Sequence, residues 1–199
     1  MRLGFLSGDA ADIEKAGRMG FDGIELHAAA FGVPGEVADR QTVENARAAC
    51  RRHGVEVTAL SYHGLAGSSA SPEEALGSYR RVFDLAEQLG VPTVACMGGF
   101  DAGRDWDGNL QLFADRYGPI AAEAERRSLR LALENWMGFG GRLPFRPVNI
   151  GGSPDTWEAM FRLVPSPALG LEFDPSHLYW QGIDHLRALR EFAGRVHHV

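Results

Sequence analysis

Two short stretches place acid–base or metal-binding groups where an extended segment ends. In Gly170–Asp184 (GLEFDPSHLYWQGID), Leu171 and Phe173 alternate with Gly170 and Glu172 at strand period. Asp174 and His177 follow where Pro175 stops the strand. In Arg130–Glu134 (RLALE), Arg130, Ala132 and Glu134 share one face, and Leu131 and Leu133 share the other. Gly170, Glu172 and Asp174 share a face in the same way, so Glu134 and Asp174 are aimed at one volume. Two carboxylates left unpaired at close range raise each other's pKa, and a divalent metal resolves that conflict. Taken singly, each carboxylate is more often an ion-pair partner or a helix cap. Shared parity, a strand-end position and a nearby histidine together point to chemistry instead.

Other candidates sit at comparable positions. FDGIELH puts Gly23, Glu25 and His27 on one face and Ile24 and Leu26 on the other, His63 ends the apolar run Val55–Tyr62, and His198 lies in the terminal GRVHHV. His27 and His63 are balanced between lining a pocket and packing in the core. His53 reads as a helix-end residue, and His185 and His197 as surface or packing residues. Trp136 offers a stacking face for a sugar or a core side chain. Arg142 and Arg146 could hold a phosphate or carboxylate, although solvated loop arginines are commoner.

These residues need a scaffold that gathers strand ends. Strands are expected at Arg2–Leu6, Phe21–His27, Val55–Tyr62, Val91–Met97, Leu129–Glu134 and Leu169–Asp174, with a seventh opening at Arg195. Between them helical spacing recurs, as in Leu76, Tyr79, Phe83 and Ala86, after a start signal at Ser71-Pro72-Glu73-Glu74. The unit strand, loop, helix repeats six times, which implies an α/β fold with parallel strands and helices outside. No strand is followed by G-x-G-x-x-G, which disfavours a doubly wound dinucleotide fold. His27, His63, Glu134, Asp174 and His198 at the ends of different strands favour a (β/α)8 TIM barrel, as a single domain over residues 1–199. A full barrel takes about 250 residues, so the chain is expected to be truncated after the start of strand seven, leaving an open sheet edge.

Composition narrows the function classes. Of the 199 residues, 45% are hydrophobic and 23% charged, ordinary for a globular protein. A net charge of −6 gives no electrostatic footprint for nucleic acid. Two cysteines, Cys50 and Cys96, are too few for a disulfide framework. With neither a signal-peptide pattern nor a membrane-length apolar run, the expected location is cytoplasmic.

GFDGIELH, LALENW, VNIGGSPDTWEAMF, LGLEFDPSHLYWQGID and GRVHHV together resemble the xylose isomerase-like superfamily of sugar phosphate isomerases and epimerases. The resemblance covers nearly the whole chain. It implies a TIM barrel that binds a divalent metal ion (manganese, magnesium, cobalt or zinc), with Glu134 and Asp174 as ligands. His177 would touch the substrate or the metal. The family's histidine ligand on strand seven aligns just beyond Val199, so His198 becomes a third ligand only with a shift of register.

The expected activity is isomerisation or epimerisation of a ketose, aldose or related polyol ketone through an enediolate, part of carbohydrate metabolism. Glu134 and His177 would be catalytic, and Glu25, His27, His63, Trp136 and His177 would contact substrate. An inosose-type dehydratase would use the same scaffold. A noncatalytic sugar-binding or assembly protein is the reading from another class. An endonuclease IV-like phosphodiesterase fits less well, because the strand-four histidine has no counterpart near Met97. The expected partner is a small sugar or polyol, with no nucleic acid and no membrane. A homo-oligomer stays open.

Overall fold

A computed structural model describes residues 2–66, 68–140 and 146–199. Seven strands form one parallel sheet in the order β1-β2-β3-β4-β5-β8-β9. Each strand lies beside its predecessor in the chain, without the reversal that defines a doubly wound sheet, which is the order of a TIM barrel. The chain divides into two compact units, Met1–Tyr62 with Ser78–Val94, and His63–Gly77 with Ala95–Val199.

The first unit holds β1 (Gly4–Ser7), α1 (Asp12–Met19), β2 (Gly23–His27), α2 (Arg40–His53) and β3 (Glu56–Tyr62). Parallel pairing sets Phe5 beside Ile24 and Ile24 beside Val57. Helix α2 is capped by Asp39, whose carboxylate accepts from the Thr42 amide at 2.8 Å. It ends at His53, as expected, because Gly54 adopts a left-handed φ of 66°. Helix α3 (Pro72–Leu89) and strand β4 (Thr93–Cys96) follow. The start signal of α3 is realised as a capping box: the Ser71 amide donates to Glu74 Oε2 at 2.8 Å, and the Glu74 amide donates to Ser71 Oγ at 3.2 Å.

The second unit contains α4 (Trp106–Arg126), β5 (Arg130–Glu134), the two-residue strands β6 (Phe139–Gly140) and β7 (Arg146–Pro147), and α5 (Pro154–Leu163). It continues with β8 (Leu169–Glu172), α6 (Pro175–Trp180), α7 (His185–Phe192) and β9 (Val196–His198). Its core is apolar: Phe113, Tyr117, Ile120, Leu131, Trp157 and Leu171 are each 1% exposed or less.

Three features differ from expectation. The sixth strand of the sheet, β8, stops at Glu172 rather than Asp174. The short helix α6 then begins at Pro175, a residue suited to a first helical position because it has no N–H to leave unpaired. Strands β6 and β7 pair antiparallel in the segment expected to be loop. Arg142 and Phe145 lie outside the described residues.

Near the end of α4, Glu123 accepts from Arg126 Nη2 at 2.6 Å and from Arg127 Nε at 2.8 Å. These two guanidiniums hold its carboxyl down to about 2. Because the folded-state pKa is depressed, the contribution to stability is present above pH 4.5 and is lost as pH falls toward 2. Glu123→Gln is therefore expected to lower stability by about 1 kcal/mol at neutral pH. Urea melts across the acid range should show the two proteins converging as the wild-type carboxyl protonates.

Candidate active site

The site is assembled on the second unit from three adjacent strands. Parallel register places Glu134 of β5 beside Glu172 of β8, and Glu172 beside His198 of β9. One row across the sheet thus carries two carboxylates and an imidazole. The pairing of β8 with β9 shifts between Leu171 and Glu172, and this irregularity brings His198 opposite Glu172. His198 Nδ1 lies 3.0 Å from Glu172 Oε1.

Gly170 makes this approach of β9 feasible. A Cβ at that position would lie 2.3 Å from the Arg195 carbonyl oxygen and 2.7 Å from the His197 ring. The uncovered glycine leaves room for His197, whose Nδ1 is 3.0 Å from the Leu131 carbonyl. A carbonyl only accepts, so that nitrogen carries the proton. Burial pushes the His197 pKa down. His197 is therefore a packing residue, as its sequence position suggested.

Glu134 stands between two imidazoles. His63 Nε2 is 3.3 Å from its Oε2 and His177 Nε2 is 3.6 Å from its Oε1. His177 Nε2 is also 3.3 Å from Asp174 Oδ2, so Glu134 and Asp174 share one histidine as a neighbour. Asp174 is at the same time the N-cap of α6, accepting from the Ser176 amide at 2.7 Å. That bond uses Oδ1 and leaves Oδ2 toward His177. The Glu134, His63 and His177 side chains are 20–24% exposed, which is open enough for a small ligand and enclosed enough to strengthen charge interactions.

His63, Glu134 and Glu172 each offer a ligand atom, and these atoms lie within 4.8 Å of one another. Carboxylate oxygens mixed with imidazole nitrogens suit manganese, magnesium, cobalt or zinc, and the crowding of Glu134 against Glu172 is relieved by positive charge. The residues present therefore fit a divalent ion.

Of the residues marked by sequence, the second unit brings together His63, Glu134, Asp174, His177 and His198. Glu25 and His27 belong to β2 of the first unit, where Glu25 is buried. Trp136, just beyond β5, keeps 40% of its surface exposed and holds its main-chain oxygen on Asn149. Arg146 starts β7. Sequence reasoning passed over Glu172 as a site residue, although parity had placed it on the face of Gly170 and Asp174. Asn135 and Asn149, whose side chains bond the main chain of Asp174 and of Glu134, were also missed. Among the described residues no helix is long and apolar enough to cross a membrane.

Comparisons with known proteins agree with this architecture. YfiH of Bacillus subtilis (strain 168), an uncharacterized protein, is 30% identical over 162 residues, which take in 67% of this chain and 48% of that protein. The chain thus spans about half the length of this relative. The probable 3-DHS dehydratase AsbF from Bacillus anthracis superposes with a TM-score of 0.80 at 16% identity, covering 98% of this chain and 71% of the other. The 3-keto-D-glucoside 4-epimerase YcjR from E. coli, in its apo form, superposes with a TM-score of 0.77 at 17% identity, covering 100% and 78%. At such identities the likeness is one of fold. The sequence model of the xylose isomerase-like TIM barrel matches residues 13–199, and the chain belongs to that family.

Proposed function

We propose that the full-length protein is a divalent-metal-dependent sugar isomerase or epimerase, acting on a ketose, aldose or related polyol ketone by proton abstraction next to a carbonyl. The observation that carries this reading is Glu134, held between His63 and His177 and in register with Glu172. Glu134, Glu172 and His63 would hold the ion, with Asp174 and His198 at the margins of the same cluster. When bound, the ion supplies charge stabilisation for the oxygen anion that develops as the carbon-bound proton leaves.

Glu134 Oε1 is the base that this chain contributes, taking the proton from the carbon beside the carbonyl; it can return it to the neighbouring carbon on the same face, whereas epimerisation takes a second acid on the opposite face. His177 Nε2, set between Glu134 and Asp174, orients a substrate hydroxyl. His63 lies on the other side of Glu134, 3.3 Å from its carboxylate. Trp136, exposed beyond β5, offers an apolar face to a sugar ring.

The acid–base step common to isomerases, epimerases and enolate-forming dehydratases exchanges a carbon-bound proton with solvent. Incubating the full-length protein with Mn2+ and a panel of ketoses and inososes in deuterated water should therefore introduce deuterium beside the carbonyl, and a chelator should stop it. A new stereoisomer or aldose in the products supports the isomerase or epimerase reading. Loss of water instead identifies a dehydratase. Sugar binding without exchange identifies a noncatalytic binding protein, and either of the latter results overturns the proposal.

A further inference from the structure

Asn135 and Asn149 are fully buried side chains whose hydrogen bonds go to the main chain around the candidate carboxylates. Asn135 follows Glu134 directly and grips residue 174 from both sides. Its Nδ2 donates to the Asp174 carbonyl at 2.8 Å, and its Oδ1 accepts from the Asp174 amide at 2.7 Å. A single amide side chain thus ties the end of β5 to the turn after β8, in the geometry of a backbone pair extended past the last residues of both strands.

Asn149 does the same for Glu134. Its Nδ2 donates to the Glu134 carbonyl at 2.9 Å and to the Trp136 carbonyl at 2.6 Å, and its Oδ1 accepts from the amides of Gly98 at 2.8 Å and Gly151 at 3.2 Å. These four bonds use both donors and both acceptor sites of the amide. Only asparagine satisfies this pattern at this reach. Aspartate would set a carboxylate oxygen against two carbonyls, and leucine would leave two N–H and two C=O groups without that partner. The fit is close on the other side as well, since a Cβ on Gly98 would come within 3.3 Å of Asn149 Oδ1.

We infer that Asn135 and Asn149 are positioning residues that set the separation of the Glu134 and Asp174 carboxylates through the main chain. They touch neither carboxylate and act by fixing the residues that carry them. The inference rests on the proposed metal-assisted function for its significance, but the placement it describes exists without an ion. Groups that orient ligands in this way commonly alter metal affinity by about 10–100-fold when removed.

The test compares Asn135→Ala and Asn149→Ala with the wild type and with Phe113→Leu, a core change in α4 that loosens packing without touching these bonds. Isothermal titration with Mn2+ alone, at a temperature where circular dichroism shows every variant folded, should give affinities about 10–100-fold weaker for the asparagine variants and unchanged for Phe113→Leu. In metal-free protein, hydrogen exchange at the Asp174 amide should accelerate in Asn135→Ala while the Leu133 amide keeps its protection. Wild-type affinity in folded asparagine variants overturns the inference. So does equal acceleration at both amides, which marks general loosening. A wild-type protein that takes up no Mn2+ overturns the metal-dependent reading instead, and the exchange measurement then decides the positioning role by itself.

Discussion

Replacing Glu134 by glutamine in the full-length protein is expected to lower turnover by about 10²–10⁴-fold, the usual contribution of a positioned base. Glutamine keeps the shape and removes both the charge and the basicity. The neighbours make this loss specific. With His63 at 3.3 Å and His177 at 3.6 Å, the carboxylate is the only anion on β5 that faces both imidazoles. A neutral amide there also removes an oxygen anion from the set shared with His63 and Glu172, so Mn2+ affinity should fall along with turnover. Single-turnover proton exchange and metal titration read the two effects separately. Exchange at the wild-type rate in Glu134→Gln would sink the assignment of the base.

The second large effect is expected at Gly170. Alanine there puts its methyl group 2.3 Å from the Arg195 carbonyl oxygen, a main-chain atom that moves only if β9 moves. Overpacking of this kind costs about 3 kcal/mol. The loss should appear as a lower urea midpoint with an unchanged slope. Displacing β9 also draws His198 away from Glu172, now 3.0 Å apart, so Mn2+ affinity should weaken as well. The nearby Gly194, whose added Cβ would meet nothing within 4 Å, provides the control, and Gly194→Ala should leave both quantities near wild type. If the two alanine variants behave alike, strand approach does not depend on Gly170.

The two carboxylates at the centre of these expectations were legible in different degrees. Glu134 could be read from RLALE alone, because period-two alternation fixes its face and Asn135 ends the strand. Asp174 was legible as a candidate, but its position was read as the end of a strand when it is the cap of a helix. A helix of six residues is too short for periodicity to reveal, and Pro175 signals both a strand stop and a helix start. Glu172 had the right parity, but its partnership with Glu134 depends on register between strands, which neither strand carries by itself. His198 shows the same limit, because a local shift in the β8–β9 pairing decides which residue it meets. The order of the sheet was readable from the succession of elements, since adjacent parallel strands with intervening helices follow from chain connectivity. Asn149 was invisible for another reason. Its partners are main-chain groups spread from residue 98 to residue 151, and no side-chain pattern marks such a hub.

Arg116 of α4 belongs to the same class of residue. It is 1% exposed, and its Nε and Nη2 donate to the Ala70 and Ser68 carbonyl oxygens, each at 2.9 Å. The grip reads oxygen atoms that every amino acid possesses. The side chain at 70 can therefore be exchanged while this grip persists, whereas the Ser68 hydroxyl adds a bond of its own by accepting from the Ala70 amide at 3.1 Å. In such an arrangement variation in what the loop presents is separated from the anchoring of the loop itself.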